Sequence, residues 1–230
     1  SVMKYYVIQQ IGTNIKETGT QFQSTDGIVG DIQQDFIPFE GKINFPFKLP
    51  EPFLQKKAKH TTRINVVMIP SWFQVFKKSF IEFIRDYKIG EFQTWDVIVH
   101  HNNLAINDYI LFYLISSVKE EIVCFENSKF NIGKWSDWNF IGENLKIDNI
   151  EDLNNYTKKF KETDYYIKPN LLHLNFSNIK EDLVRVSNVP LISGHYFASQ
   201  NLKNAIDKEK FTGFSFQEIE EMDKRIKVVY

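Results

Sequence analysis

The chain has 230 residues, 43% hydrophobic and 15% aromatic, enough to bury one large core or two small ones. Its 28 Lys and Arg against 29 Asp and Glu leave a formal charge of −1, which excludes a strong nonspecific pull towards nucleic acid or an anionic membrane. A single cysteine, Cys124, excludes an internal disulfide framework and suits a reducing compartment, and the longest apolar run, Tyr109 to Ile115, is too short to cross a bilayer.

In chain order, Met3 to Gln9 reads as a first strand. Residues 10–60 are punctuated by Gly12, Gly19, Gly27, Gly30, Gly41, Pro38, Pro46, Pro50 and Pro52, which favour turns and short strands. The phenylalanines here (Phe36, Phe39, Phe45, Phe47 and Phe53) are expected to be largely buried, so this part is read as packed loops on the main domain. Ile64 to Ile69 is a strand rich in β-branched residues. Ser71 and Gln74 then suggest a capping box, opening a helix that places Phe73, Phe76, Phe80, Phe83, Ile84 and Tyr87 on one broad face and ends near Gly90. Residues 92–101 and 108–116 are two strands joined across Asn102 to Asn107. Tyr109 to Ile115 is apolar on both faces and therefore central.

Glu121 to Phe125 is read as a further strand and 126–148 as a loop carrying Trp135 and Trp138. Asn149 to Lys161 has helical spacing at Ile150, Leu153, Tyr156 and Phe160. Leu171–Phe176 and Leu183–Val186 are strands. Ser193 to Ser199 is a short strand, Ser199 opens a helix to Asp207, and a strand is entered through Thr212-Gly213. Residues 217–225 form a short acidic helix. Short connections between strands predict an α+β fold in a single domain over 1–230: a mainly antiparallel sheet, about three helices packed on it and an irregular N-terminal segment.

The two strand–helix–strand units, 64–99 and 193–216, resemble a bacterial immunity-protein family of polymorphic toxin systems. The likeness runs over about 60–220. It is carried by the strand ending at Ser71, the Phe73–Ile84 helix, the Tyr109–Ile115 run and the Leu202–Ile206 helix followed by Thr212-Gly213-Phe214. It implies a protein without catalysis or cofactor that binds and silences a cognate toxin encoded beside it, as a monomer or homodimer. Residues 10–60 and 126–150 would be the variable parts that meet the toxin. The first residues lack the basic, apolar and small-residue succession of a secretory leader, so a cytoplasmic protein is expected.

Catalytic motifs are few. Gly27 and Gly30 lack the lysine and helix of a phosphate loop. His100 and His101 are adjacent on a strand and point to opposite faces, so they do not share a metal ion. Glu120-Glu121 and Glu220-Glu221 have no convergent spacing. Ser193-Gly194-His195 lacks the Gly-x-Ser-x-Gly elbow. A small hydrolase or transferase centred on His195 is the alternative reading. A module that contacts carbohydrate through exposed aromatics is another. The basic run Lys56 to Arg63 has no interleaved aromatics or reading helix, so a nucleic-acid role is not expected.

Two stretches are candidates for the partner. Residues 17–41 carry Glu17, Asp26, Asp31, Asp35 and Glu40 with no Lys or Arg. Of these, Asp26, Asp31, Asp35 and Glu40 are expected to meet a basic toxin active site. Trp135, Asp137 and Trp138 form the second candidate, because tryptophan is favoured as an interface anchor. Exposed indoles would favour this interface, and buried indoles would remove it.

Overall fold

The computed structural model describes residues 2–12, 14–26, 40–115 and 118–230. The elements run β1 (Tyr5–Ile8), α1 (Ile15–Thr18), β2 (Ser24–Asp26), β3 (Phe53–Leu54), β4 (Arg63–Ile64), β5 (Phe73–Lys77), α2 (Lys78–Ile84), β6 (Phe92–His101), β7 (Leu104–Leu114) and α3 (Lys119–Ile122). They continue with β8 (Lys129–Lys134), β9 (Asn144–Leu145), α4 (Ile150–Phe160), β10 (Tyr165–Asn175), β11 (Leu183–Arg185), β12 (Tyr196–Ser199), α5 (Gln200–Lys208), β13 (Phe216–Glu218) and β14 (Ile226–Val229).

The class is α+β, with three sheets among the described residues in place of one. Their strand orders are β2-β3-β6-β7-β5-β4, β11-β12-β1-β13 and β14-β10-β8-β9. Antiparallel pairs dominate, but β3–β6 and β10–β14 are parallel, so the sheets are mixed. Five helices are present among the described residues against the three expected, and α1 and α3 are single turns. No helix among the described residues is long and apolar enough to cross a membrane.

The alternation of side chains across each strand divides the core into three layers. Phe73, Val75, Tyr109, Leu111 and Tyr113 face one side of the six-stranded sheet and pack with Trp72, Val97 and Val99. Phe76, Ile110, Phe112 and Leu114 face the other side, where they meet Phe80 and Ile84 of α2, Leu202 and Ile206 of α5, and Ile8, Tyr196 and Ala198 of the β1 sheet. The opposite face of that second sheet sends Tyr5, Val7, Val184 and Phe197 into a layer shared with Phe130, Leu172, Leu174 and Ile226 of the third sheet and Leu153 of α4. A central strand flanked by two layers must be apolar on both faces, which is why Tyr109 to Leu114 reads as it does.

Several expectations fail. Residues 73–77 form a strand and not the start of a helix. α2 begins only at Lys78 and ends at Ile84, well before Gly90, and its N-cap has no side-chain bond. The capping box dissolves because Gln74 is buried and its Oε1 accepts from Arg63 Nε at 2.8 Å. The first strand–helix–strand unit of the immunity-protein likeness is therefore not formed as expected. Residues 121–125 are the end of α3 and the start of a short 3-10 turn, not a strand. The presumed loop 126–148 contains β8 and β9. Phe45 and Phe53 are exposed, Phe53 lying stacked on His100 at 4.4 Å between ring centres, while Phe36 and Phe39 fall outside the described residues. The 217–225 segment supplies a 3-10 turn at Ile219–Glu221 and then β14.

The second unit holds in its first strand and helix, but 211–215 is irregular and the strand after it is only β13, Phe216–Glu218. Ser199 caps α5, its hydroxyl oxygen accepting from Leu202 N–H at 3.1 Å. The same hydroxyl donates to Asp182 Oδ1 at 2.5 Å, with both residues buried. Ser199→Ala removes the cap and leaves a buried carboxylate short of a donor, so it is expected to lower unfolding free energy by about 2 kcal/mol in urea titration. A loss below about 0.5 kcal/mol, the level of an ordinary surface change, would show that the cap does not hold α5.

Candidate functional site

An open cleft with a volume of about 860 Å³ lies where β10, the end of α4, the loop after β8 and the loop 186–195 converge. Its position begins with a glycine. Gly133 of β8 pairs with Tyr166 of β10, and a Cβ at position 133 would lie 2.4 Å from Tyr166 Cζ. The missing side chain lets the Tyr166 ring lie flat across the strand. Trp135 stacks on that ring, with centroids 4.4 Å apart and planes at 29°. Trp138 stands edge-on to Trp135 at 5.6 Å and 84°.

Both indoles are exposed, Trp135 at 54% and Trp138 at 65%. The loop that bears them is nevertheless tied down. Trp135 N–H donates to Asp164 O at 2.9 Å, and Asp164 accepts from both the amide and the hydroxyl of Ser136. Those Ser136 bonds hold the Asp164 carboxyl below the usual carboxylate range against a smaller desolvation effect. Asp137 Oδ1 accepts from Asn139 N–H at 3.0 Å, closing a local turn. Lys168 Nζ donates to the carbonyl oxygens of Trp138 and Phe140. The tryptophans are thus presented on a preformed loop, and little ordering entropy remains to be lost on binding.

The opposite wall is a loop under backbone strain. Asn188 and Leu191 sit at φ of 53° and 71°, where side chains other than glycine are uncommon. Val189 and Ile192 are buried in the core and fix the loop, while Leu191 lines the cleft. A bulky residue at positive φ costs on the order of 1–2 kcal/mol, and such strain collects at ligand-contacting sites. Arg225 closes one end, gripped by Asp223 through bonds of 2.8 and 2.9 Å. That grip lowers the Asp223 carboxyl to about 2, overcoming desolvation.

The two stretches expected to meet a partner fare differently. Trp135, Asp137 and Trp138 are brought together in one exposed turn. Asp26 is exposed at the end of β2. Asp31 and Asp35 lie outside the described residues. Glu40 is not a free acid: Oε1 pairs with Lys119 Nζ at 2.7 Å and accepts from Ser187 Oγ at 2.6 Å. Lys119 is only 5% exposed, and Arg185 nearby is fully buried, so Glu40 serves as their counter-charge. Desolvation raises the Glu40 carboxyl, but hydrogen bonds from Lys119 and Ser187 and the charges of Lys119 and Arg185 outweigh it, and the net shift is downward. A lowered folded-state pKa stabilises the protein above the unfolded value of 4.5, and that contribution is lost as pH falls through the folded value. Glu40→Gln is expected to lower stability by roughly 1–3 kcal/mol at pH 7, a figure reduced for the partial exposure of the carboxylate. The gap to the native protein should narrow below pH 4.5, and a gap constant with pH would refute the ion-pair role.

No hydrogen bond among the described residues joins the His195 ring to Ser193 or to an acid. Ser193 Oγ accepts from Asn188 N–H at 2.8 Å, and His195 Nδ1 is buried without a hydrogen-bond partner among the described residues. A general base needs an orienting partner on that nitrogen, and burial pushes the imidazole pKa down. Cys124 is half-buried with its thiol pushed up by burial and by Glu126, the opposite of an activated thiolate. His100 bonds Glu51 at 2.9 Å, and His101 pairs with His60 at 2.7 Å, so the adjacent histidines part as expected. No group of three potential metal ligands occurs among the described residues.

No family model and no curated protein matches this sequence.

Proposed function

We propose that this chain is an immunity protein that binds a cognate toxin, encoded beside it, and blocks the toxin's active site without catalysis of its own. The observation that carries the reading is the pair Trp135 and Trp138, more than half exposed and fixed by backbone bonds on the rim of an apolar cleft. Large exposed aromatics on a rigid loop suit a protein interface, where a few such anchors supply most of the binding energy. The resemblance at α5 and Thr212-Gly213 supports the same class. The 84° angle between the indole planes makes a notch and not a flat platform, which favours an inserted side chain over a stacked sugar. Co-expression with the product of a neighbouring toxin-like reading frame, followed by a growth assay and pulldown, tests the proposal. Rescued growth with a stable complex supports it; failure of both sinks it.

A further inference from the structure

We infer that the toxin segment seated in the cleft is acidic around an apolar side chain. This deepens the reading of the cleft as the partner site and rests on it. It also reverses the electrostatics expected of the acidic stretch 17–41. The aromatic wall offers apolar area, and the charges around it are mostly positive. Lys158 and Lys161 line the cleft, are exposed, and form no ion pair among the described residues. Among the described residues Lys168 bonds only carbonyl oxygens, so its charge has no carboxylate there either. Glu162 is the one acid among the described lining residues, and Arg225 is already matched by Asp223.

Lys158 also complements the carbonyl end of α4. Lys168 arises from β10, so the positive charge is more than a helix-end effect. With Glu162 as the single opposing acid, a carboxylate entering here meets three ammonium groups that have no carboxylate partner among the described residues, whereas a lysine-rich segment meets mostly like charge. Complementary potential of this kind selects partners and speeds encounter.

Two capped octapeptides with the same Phe-Leu centre, one flanked by Asp and Glu and one by Lys, provide the probe. Binding is read by tryptophan fluorescence at low salt for the native protein, Lys158→Glu/Lys161→Glu and Trp135→Ala/Trp138→Ala. The acidic peptide should bind the native protein about fivefold more tightly than the basic one, since two exposed ion pairs are worth about 1 kcal/mol together. The preference should reverse in the double-glutamate variant and vanish at high salt. Equal affinity, or a preference for the basic peptide, overturns the inference. If that happens while both bindings still require the tryptophans, the cleft remains the site and only its charge preference is wrong. If neither peptide binds, the inference falls, and the toxin pulldown alone judges the cleft.

Discussion

Under the proposed function, Trp135→Ala/Trp138→Ala is expected to weaken toxin binding by at least about a hundredfold while leaving the fold intact. Truncating an anchor tryptophan costs about 2 kcal/mol or more, and the pair shares contacts, so their sum is discounted. Stability should change little, because both rings stand largely in solvent and only the stack of Trp135 on Tyr166 is lost, worth about 1 kcal/mol. Isothermal titration with the purified toxin, beside a thermal melt of the variant, separates the two effects. Undiminished affinity in a folded variant would move the interface elsewhere on the molecule.

The largest stability loss is expected at Gly213→Ala, about 3–5 kcal/mol. Gly213 has φ of +85°, and a Cβ there would lie 2.0 Å from the Arg63 carbonyl oxygen and 2.9 Å from Thr61 Oγ1. Arg63 cannot move aside. It is fully buried, and its guanidinium donates to Gln74 Oε1, Gly213 O and Gln10 O. Burial lowers that guanidinium to about 10, so it stays charged at neutral pH and needs those bonds. Gly41 is a matched control: its φ is the same +85°, yet a Cβ there would meet nothing among the described residues within 4 Å. Gly41→Ala should therefore cost only the backbone strain, about 1 kcal/mol. Urea titrations of the two variants that coincide would show that the close approach at Gly213 is unimportant.

What was legible in the sequence follows from which signals were unique to one structure. The β6–β7 hairpin was readable from its long apolar run. Only its turn is tighter than expected, with Asn102 and Asn103 both at positive φ. α4 and α5 were readable because Asn149 and Ser199 cap helices whose apolar residues recur at three and four. β5 was not, because Phe73, Phe76 and Phe80 have helical spacing while the strand between two core layers is buried on both faces. Periodicity alone does not separate a doubly buried strand from a helix. β8 was hidden by Asn131 and Gly133, yet that glycine sets the Tyr166 ring beneath Trp135. The Trp135–Trp138 pair stood out by residue type. The strained 188–191 wall and the unmatched lysines needed the fold, since they come from three separate elements. In the acidic stretch, Glu40 looked available for a partner because its buried cation, Lys119, is remote in sequence.

The strand order of the second sheet sets a timetable for synthesis. β1 lies between β12 and β13, so the first strand made finds no partner until residues 196–218 have been translated. At elongation rates of about 5–20 residues per second that interval is roughly ten to forty seconds. Through it, Tyr5 and Val7 belong to a core whose other walls do not yet exist. A chain cut short before residue 196 therefore leaves β1 without either neighbour, and the whole second sheet waits on translation reaching β13.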